Sequence, residues 1–187
     1  LGYIGLGQSG TTLSGGEAQR VKLAAELSRK ATGRTLYILD EPTTGVDAVS
    51  RKEFWDMLKS LKEQGITILV STPYMDEATL CDRIALMQHG ELMKTGTPAE
   101  IIHSFKFNII AVKADDMFTL LKDIPVFPAV EQAYAFGEFH HVVMNEGYNK
   151  EQFKQYLESI GHSGLQLQPV LPTIEDCFMQ LMQHQHG

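Results

Sequence analysis

Cysteine is scarce in this chain: Cys81 and Cys177 stand far apart among 187 residues. With no C-x-x-C pair and no zinc-type spacing, neither a disulfide framework nor a cysteine-ligated metal is expected, and a reduced thiol pair is the simple reading. Long apolar runs are missing too. No stretch approaches the length of a membrane span and no signal-peptide pattern opens the chain, so a membrane would be reached only through a partner. Basic charge is in deficit: 16 Lys and Arg against 23 Asp and Glu leave a formal net charge of −7. That balance weighs against broad binding to DNA. The local cluster Arg20, Lys22, Arg29, Lys30 and Arg34 reads as a solvated helix face in the first place, with a contact surface as the alternative.

One further absence concerns phosphate. The pattern G-x-x-x-x-G-K-[ST], whose lysine cradles β- and γ-phosphates, has only a poor mimic in Gly5-Leu6-Gly7-Gln8-Ser9-Gly10-Thr11-Thr12, with Thr11 where lysine belongs. That segment reads as the approach to a second motif. In Leu13-Ser14-Gly15-Gly16-Glu17-Ala18-Gln19-Arg20, Ser14 and Glu17 have the spacing of a capping box. A helix starting there aims unpaired N–H groups at whatever lies before Gly15 and Gly16, and the glycines admit a close anion. Leu36-Tyr37-Ile38-Leu39 is a short apolar run suited to a central strand covered on both faces, and it ends in Asp40-Glu41-Pro42. Adjacent carboxylates at a strand's carboxyl end suit one Mg²⁺ ligand acting through water and one group that orients an attacking water.

These two motifs together resemble an ABC-type ATPase, with Leu13–Arg20 as its signature motif and Leu36–Glu41 as Walker B. The resemblance implies ATP and Mg²⁺ as cofactors, Asp40 as the Mg²⁺ carboxylate and Glu41 as the catalytic base. Ser14, Gly15, Gly16 and Glu17 would then face the γ-phosphate of ATP held by a second ABC ATPase domain. Thr44-Gly45-Val46-Asp47 resembles the D-loop, with Asp47 at the dimer interface. Pro73, in Ser71-Thr72-Pro73-Tyr74, stands where the family usually carries a switch histidine; proline offers neither a side-chain donor nor an N–H. The isolated chain is therefore expected to show no turnover. It opens on Leu1, in mid-domain by this resemblance, so a fragment lacking the Walker A half is expected.

The resemblance changes along the chain. Residues 1–45, including Leu27-Ser28-Arg29-Lys30-Ala31-Thr32-Gly33, look most like UvrA-type excision-repair ATPases. From Val46 onward, Asp47-Ala48-Val49-Ser50-Arg51, Tyr74-Met75-Asp76-Glu77-Ala78, Cys81-Asp82-Arg83-Ile84-Ala85 and Gly96-Thr97-Pro98-Ala99-Glu100 look like ATP-binding subunits of drug or ABC-2 exporters. A hybrid is expected. The leading functional expectation is an exporter ATP-binding subunit, cytoplasmic and held at the membrane by a permease partner, with DNA set aside. The alternatives are a UvrA-like repair ATPase fragment, opposed by acidity and by the lack of zinc cysteines, and a non-catalytic module that supplies a signature motif in trans.

The expected fold is α/β. Residues 1–105 form the back half of an ABC ATPase domain: a helix from Ser14 to about Lys30, the Leu36 strand, a helix from Ala48 to about Gln64, a strand ending at Ser71 and a short helix near Met75. His89-Gly90 signals a hairpin, and Thr97-Pro98-Ala99-Glu100 a capped helix. Residues 106–187 follow a βαββαβ order, the rhythm of a small ferredoxin-like domain. His140 and His141 are neighbours on a strand, so they face opposite sides and do not converge on a metal.

Overall fold

The computed structural model describes residues 35–184, which fall into two compact units divided between Leu80 and Cys81. The helix expected from Ser14 to about Lys30 lies outside the described residues.

In the first unit, β1 (Leu36–Asp40) leads through α1 (Ala48–Glu63) to β2 (Thr67–Ser71), and α2 (Met75–Ala78) follows. The strands pair in parallel from Leu36↔Thr67 to Asp40↔Ser71. Parallel neighbours need a crossover, and α1 supplies it. Asp47 caps α1 by accepting from the Val49 and Ser50 amides at 3.0 Å, and Gly65 ends the crossover at φ +84°. The stripe Phe54, Leu58 and Leu61 meets Leu39 and Ile66, with Tyr37, Ile68 and Val70 packed alongside. That is one face of the sheet only. Leu36, Ile38 and Leu69 point away from it and are 56%, 69% and 59% exposed. The expected cover on both faces of β1 is thus not met among the described residues: a run that is apolar at every position needs a second layer, and only α1's layer is present.

In the second unit, β3 (Ile84–Gln88) and β4 (Glu91–Gly96) form an antiparallel hairpin, with His89 and Gly90 both at positive φ as a tight twisted turn demands. Thr97 caps α3 (Pro98–His103) with a complete capping box to Glu100. Then come β5 (Asn108–Lys113), α4 (Met117–Asp123) with a 3-10 turn, β6 (Val130–Phe136), β7 (Phe139–Met144), α5 (Lys150–Ser159), β8 (Gln166–Val170) and α6 (Ile174–His184). The sheet runs β6-β7-β5-β8, antiparallel throughout. This is the ferredoxin-like arrangement expected from the βαββαβ rhythm, with β7 slotted between β5 and β6. Alternation along the strands sends Ile110, Val112, Val142 and Met144 to one face, where Leu120, Ile124, Phe153 and Leu157 close a core. The fold is thus α/β in the parallel first unit, and the antiparallel ferredoxin-like sheet of the second is α+β.

Candidate functional site

Asp40 is the last residue of β1 and lies opposite Ser71, the last of β2. Both strands thus end at one edge, the carboxyl end where parallel sheets gather ligands. Glu41 comes next, exposed, with φ +42°. A glutamate in the left-handed region is strained, so neighbours must hold it there. Its N–H donates to the Ser71 carbonyl at 2.8 Å, its carbonyl accepts from the Thr44 N–H at 3.2 Å, and its Oε2 accepts from the Thr44 hydroxyl at 3.3 Å. Pro42 and Thr43 are buried beneath this turn. The Thr43 hydroxyl is buried with no hydrogen-bond partner among the described residues.

From that turn the chain enters α1 through Asp47. Hydrogen bonds from the Ser50 side chain, then from the Ser50 and Val49 amides, hold the Asp47 carboxyl below the usual carboxylate range. On the next turn Arg51 reaches the segment after β2. Its Nε lies 3.6 Å from Oε1 of the buried Glu77, and its guanidinium stands 4.4 Å over the Tyr74 ring. Glu77 Oε2 accepts from the Thr72 hydroxyl at 2.7 Å. Neither Arg51, Glu77 nor Thr72 is marked as a site residue by sequence reasoning. The available signal was spacing: Arg51 lies four residues after a helix cap, and Glu77 is an acid on a short helix that must bury one side.

Of the expected site residues, the structure brings Asp40 and Glu41 together at the strand end and places Asp47 at the start of α1. Ser14, Gly15, Gly16 and Glu17 lie outside the described residues. Among the described residues no group of three or more His, Cys, Asp or Glu could hold a metal ion. His140 and His141 diverge as alternation requires. His140 Nε2 meets the Met117 carbonyl at 2.7 Å on one face, and His141 Nδ1 meets Asp176 Oδ1 at 2.7 Å on the other.

A parallel strand end with paired carboxylates, followed by a turn that feeds a capped helix, is the arrangement of an ABC-type ATPase, and the chain resembles that class. More narrowly, it is similar to UvrABC system protein A of Haemophilus influenzae, Rickettsia typhi and Escherichia coli K12. Each is 50% identical over 107 residues, or 54% of this chain. The chain spans 11% of the length of these curated relatives. A crystal structure of UvrA2 from Deinococcus radiodurans aligns at 42% identity and a TM-score of 0.49, over 55% of this chain and 13% of that one. No family model matches the sequence.

These relatives overturn the exporter expectation. A matched stretch of 107 residues is longer than the 45 assigned to the repair-type resemblance, so the likeness runs past Val46 and a join of two families there is unsupported. The permease partner and the placement at a membrane fall with it. Among the described residues no helix is long and apolar enough to cross a membrane. The setting aside of DNA also falls. A net charge of −7 on a chain that spans 11% of its relatives does not locate the binding surface of a larger protein.

Proposed function

We propose that this chain is the signature and Walker B portion of a UvrA-type DNA-repair ABC ATPase, working with a phosphate-cradling segment that its own sequence does not supply. The observation that carries the reading is the 50% identity to UvrABC system protein A over 107 residues, a stretch long enough to include more than one motif. Strain at Glu41 supports it, because a glutamate held at φ +42° by three hydrogen bonds is kept where an ordinary turn would place glycine.

In this reading ATP is bound with Mg²⁺, which supplies charge neutralisation at the phosphates. Asp40 would hold the ion, through water, at the end of β1. Glu41 orients the attacking water and accepts its proton at a carboxylate oxygen. Ser14, Gly15, Gly16 and Glu17 present N–H and hydroxyl donors to the γ-phosphate bound by a second ABC ATPase domain, and Asp47 sits at that interface. The division into residues 1–105 and 106–187 belongs to the same proposal, with the ferredoxin-like portion as an appendage without chemistry of its own. Pro73 in place of a donor histidine and Thr11 in place of lysine leave the isolated chain without turnover.

The test is calorimetric titration of Mg²⁺-ATP into the chain, alone and with a complete UvrA-type ATPase domain, followed by binding to duplex DNA across a salt series. The reading expects nucleotide binding only in the mixture, and DNA affinity that falls as salt rises. Binding by the chain alone would contradict it, as would a mixture indifferent to both nucleotide and DNA.

A further inference from the structure

A chain of contacts closes on itself around Glu41. Starting from the Glu41 N–H, it passes to the Ser71 carbonyl at 2.8 Å and along the backbone to Thr72. The Thr72 hydroxyl donates to Glu77 at 2.7 Å, and also accepts from the Tyr74 N–H at 3.1 Å. Glu77 faces Arg51, whose own N–H bonds the Asp47 carbonyl at 2.9 Å. Asp47 follows the Thr44 turn, and the Thr44 N–H returns to the Glu41 carbonyl. Every member lies within one compact unit.

The energetic weight in this ring sits on Glu77, which is 1% exposed. A carboxylate so buried needs partners, and among the described residues Arg51 faces it at 3.6 Å, an ion-pair distance beyond a hydrogen bond; the Arg51 side chain is 27% exposed, so water screens the pair only in part. Arg51 is itself oriented by lying over Tyr74 and by Asp76, whose Oδ2 is 3.8 Å from Nη1. Among the described residues no backbone hydrogen bond joins α1 to the loop after β2, and Arg51 meets that segment through Glu77, Asp76 and the Tyr74 ring.

We infer that Arg51 and Glu77 are positioning residues: they tie the start of α1 to the Ser71–Tyr74 loop and thereby hold Glu41 in its left-handed conformation beside Asp40. Neither touches the reacting atoms. Strain at Glu41 would relax if either flank could move, because the hydrogen bonds that hold its peptide come from both: Ser71 on the loop side, Thr44 on the helix side. The ring is a mechanical property of this fold. Its consequence for hydrolysis rests on the reading of Glu41 as the water-orienting carboxylate.

Amide hydrogen exchange by NMR on the full chain tests the ring without nucleotide. Arg51→Met should accelerate exchange of the Glu41 amide by about tenfold or more, the loss expected when local opening no longer has to separate a half-buried ion pair. Arg51→Lys, which keeps the charge but not the planar fork, should fall between. Glu77→Gln, which can still accept from Thr72, should also speed Glu41 exchange. Amides inside β1, such as Leu39, should keep their wild-type rates in all three. Unchanged Glu41 exchange would overturn the inference, and so would equal acceleration at Leu39, which would mean the unit merely melts. With a complete UvrA-type domain and Mg²⁺-ATP, Glu77→Gln should lower kcat at constant KM. A wild-type mixture without turnover would sink the functional reading and leave exchange to judge the ring.

Discussion

Glu41 carries the most local information of any residue here. At φ +42° it pays a steric penalty that glycine would not, and the Cβ–carbonyl clash behind that penalty is worth about 1–2 kcal/mol. Glu41→Gly should therefore be more stable than Glu41→Ala by about 1 kcal/mol in urea unfolding, although both lack the carboxylate. Equal stability of the two would mean that the backbone there is unstrained. The position of Asp40 and Glu41 at the end of β1 was legible from sequence because the apolar run Leu36 to Leu39 stops there. The sign of φ was not legible, since nothing in Asp-Glu-Pro distinguishes an extended strand end from a left-handed turn.

Among the elements, α6 shows how one buried acid anchors a helix. Asp176 is fully buried, and its carboxylate accepts from Tyr134 at 2.5 Å, His141 at 2.7 Å, the Thr173 N–H at 2.6 Å and the Thr173 hydroxyl at 2.7 Å. Burial works against its charge, but the bonds from His141, Tyr134 and Thr173 outweigh that, and the carboxyl is held below its ordinary range. Burial, then the bond to Asp176, pushes the Tyr134 phenol up. A depressed carboxyl contributes stability that is complete above its unfolded value, about 3.9, and is lost as pH falls through its lower folded value. Near-ultraviolet dichroism should accordingly report loss of tyrosine ordering on the acid side of about pH 4. Asp176→Asn should flatten that acid limb and cost about 2–3 kcal/mol at neutral pH, as charged hydrogen bonds become neutral ones. An unchanged acid limb in the variant would assign it to other carboxylates. The anchoring role of Asp176 was not legible in the sequence, because its partners Tyr134 and His141 lie on distant strands.

On the scale of the whole molecule, the described residues hold two separate cores. Leu39, Phe54, Leu58, Leu61 and Ile66 make one, and Ile110, Leu120, Val142, Phe153 and Leu157 belong to the other. Cores that share no residue need not melt together. Calorimetry should resolve two transitions, with Phe54→Ala lowering one and Phe153→Ala the other, each by about 3–5 kcal/mol for loss of a buried ring. A single transition moved alike by both would show the units to be coupled. The uncovered face of Leu36, Ile38 and Leu69 belongs to this scale as well. Among the described residues no second layer covers it, although an apolar face on a parallel sheet is ordinarily buried.

Periodicity, caps and turn residues act over a few positions, and at that range the sequence alone determined the outcome. Phe54, Met57, Leu58 and Leu61 recur at helical spacing, and Phe54, Leu58 and Leu61 form α1's buried stripe with Met57 packed beside it; Thr97 and Glu100 cap α3; His89-Gly90 turns the hairpin. The βαββαβ rhythm was enough to specify the sheet order, since few topologies bury one face under two helices. Long-range partners were left to the tertiary structure. Whether β1 has one covered face or two, whether Glu41 is strained, and which acids Arg51 and His141 meet all depend on residues far apart in the chain. A local pattern records that a side chain must be buried or paired, but not with what, because burial and pairing are settled by whichever distant surface the fold brings near.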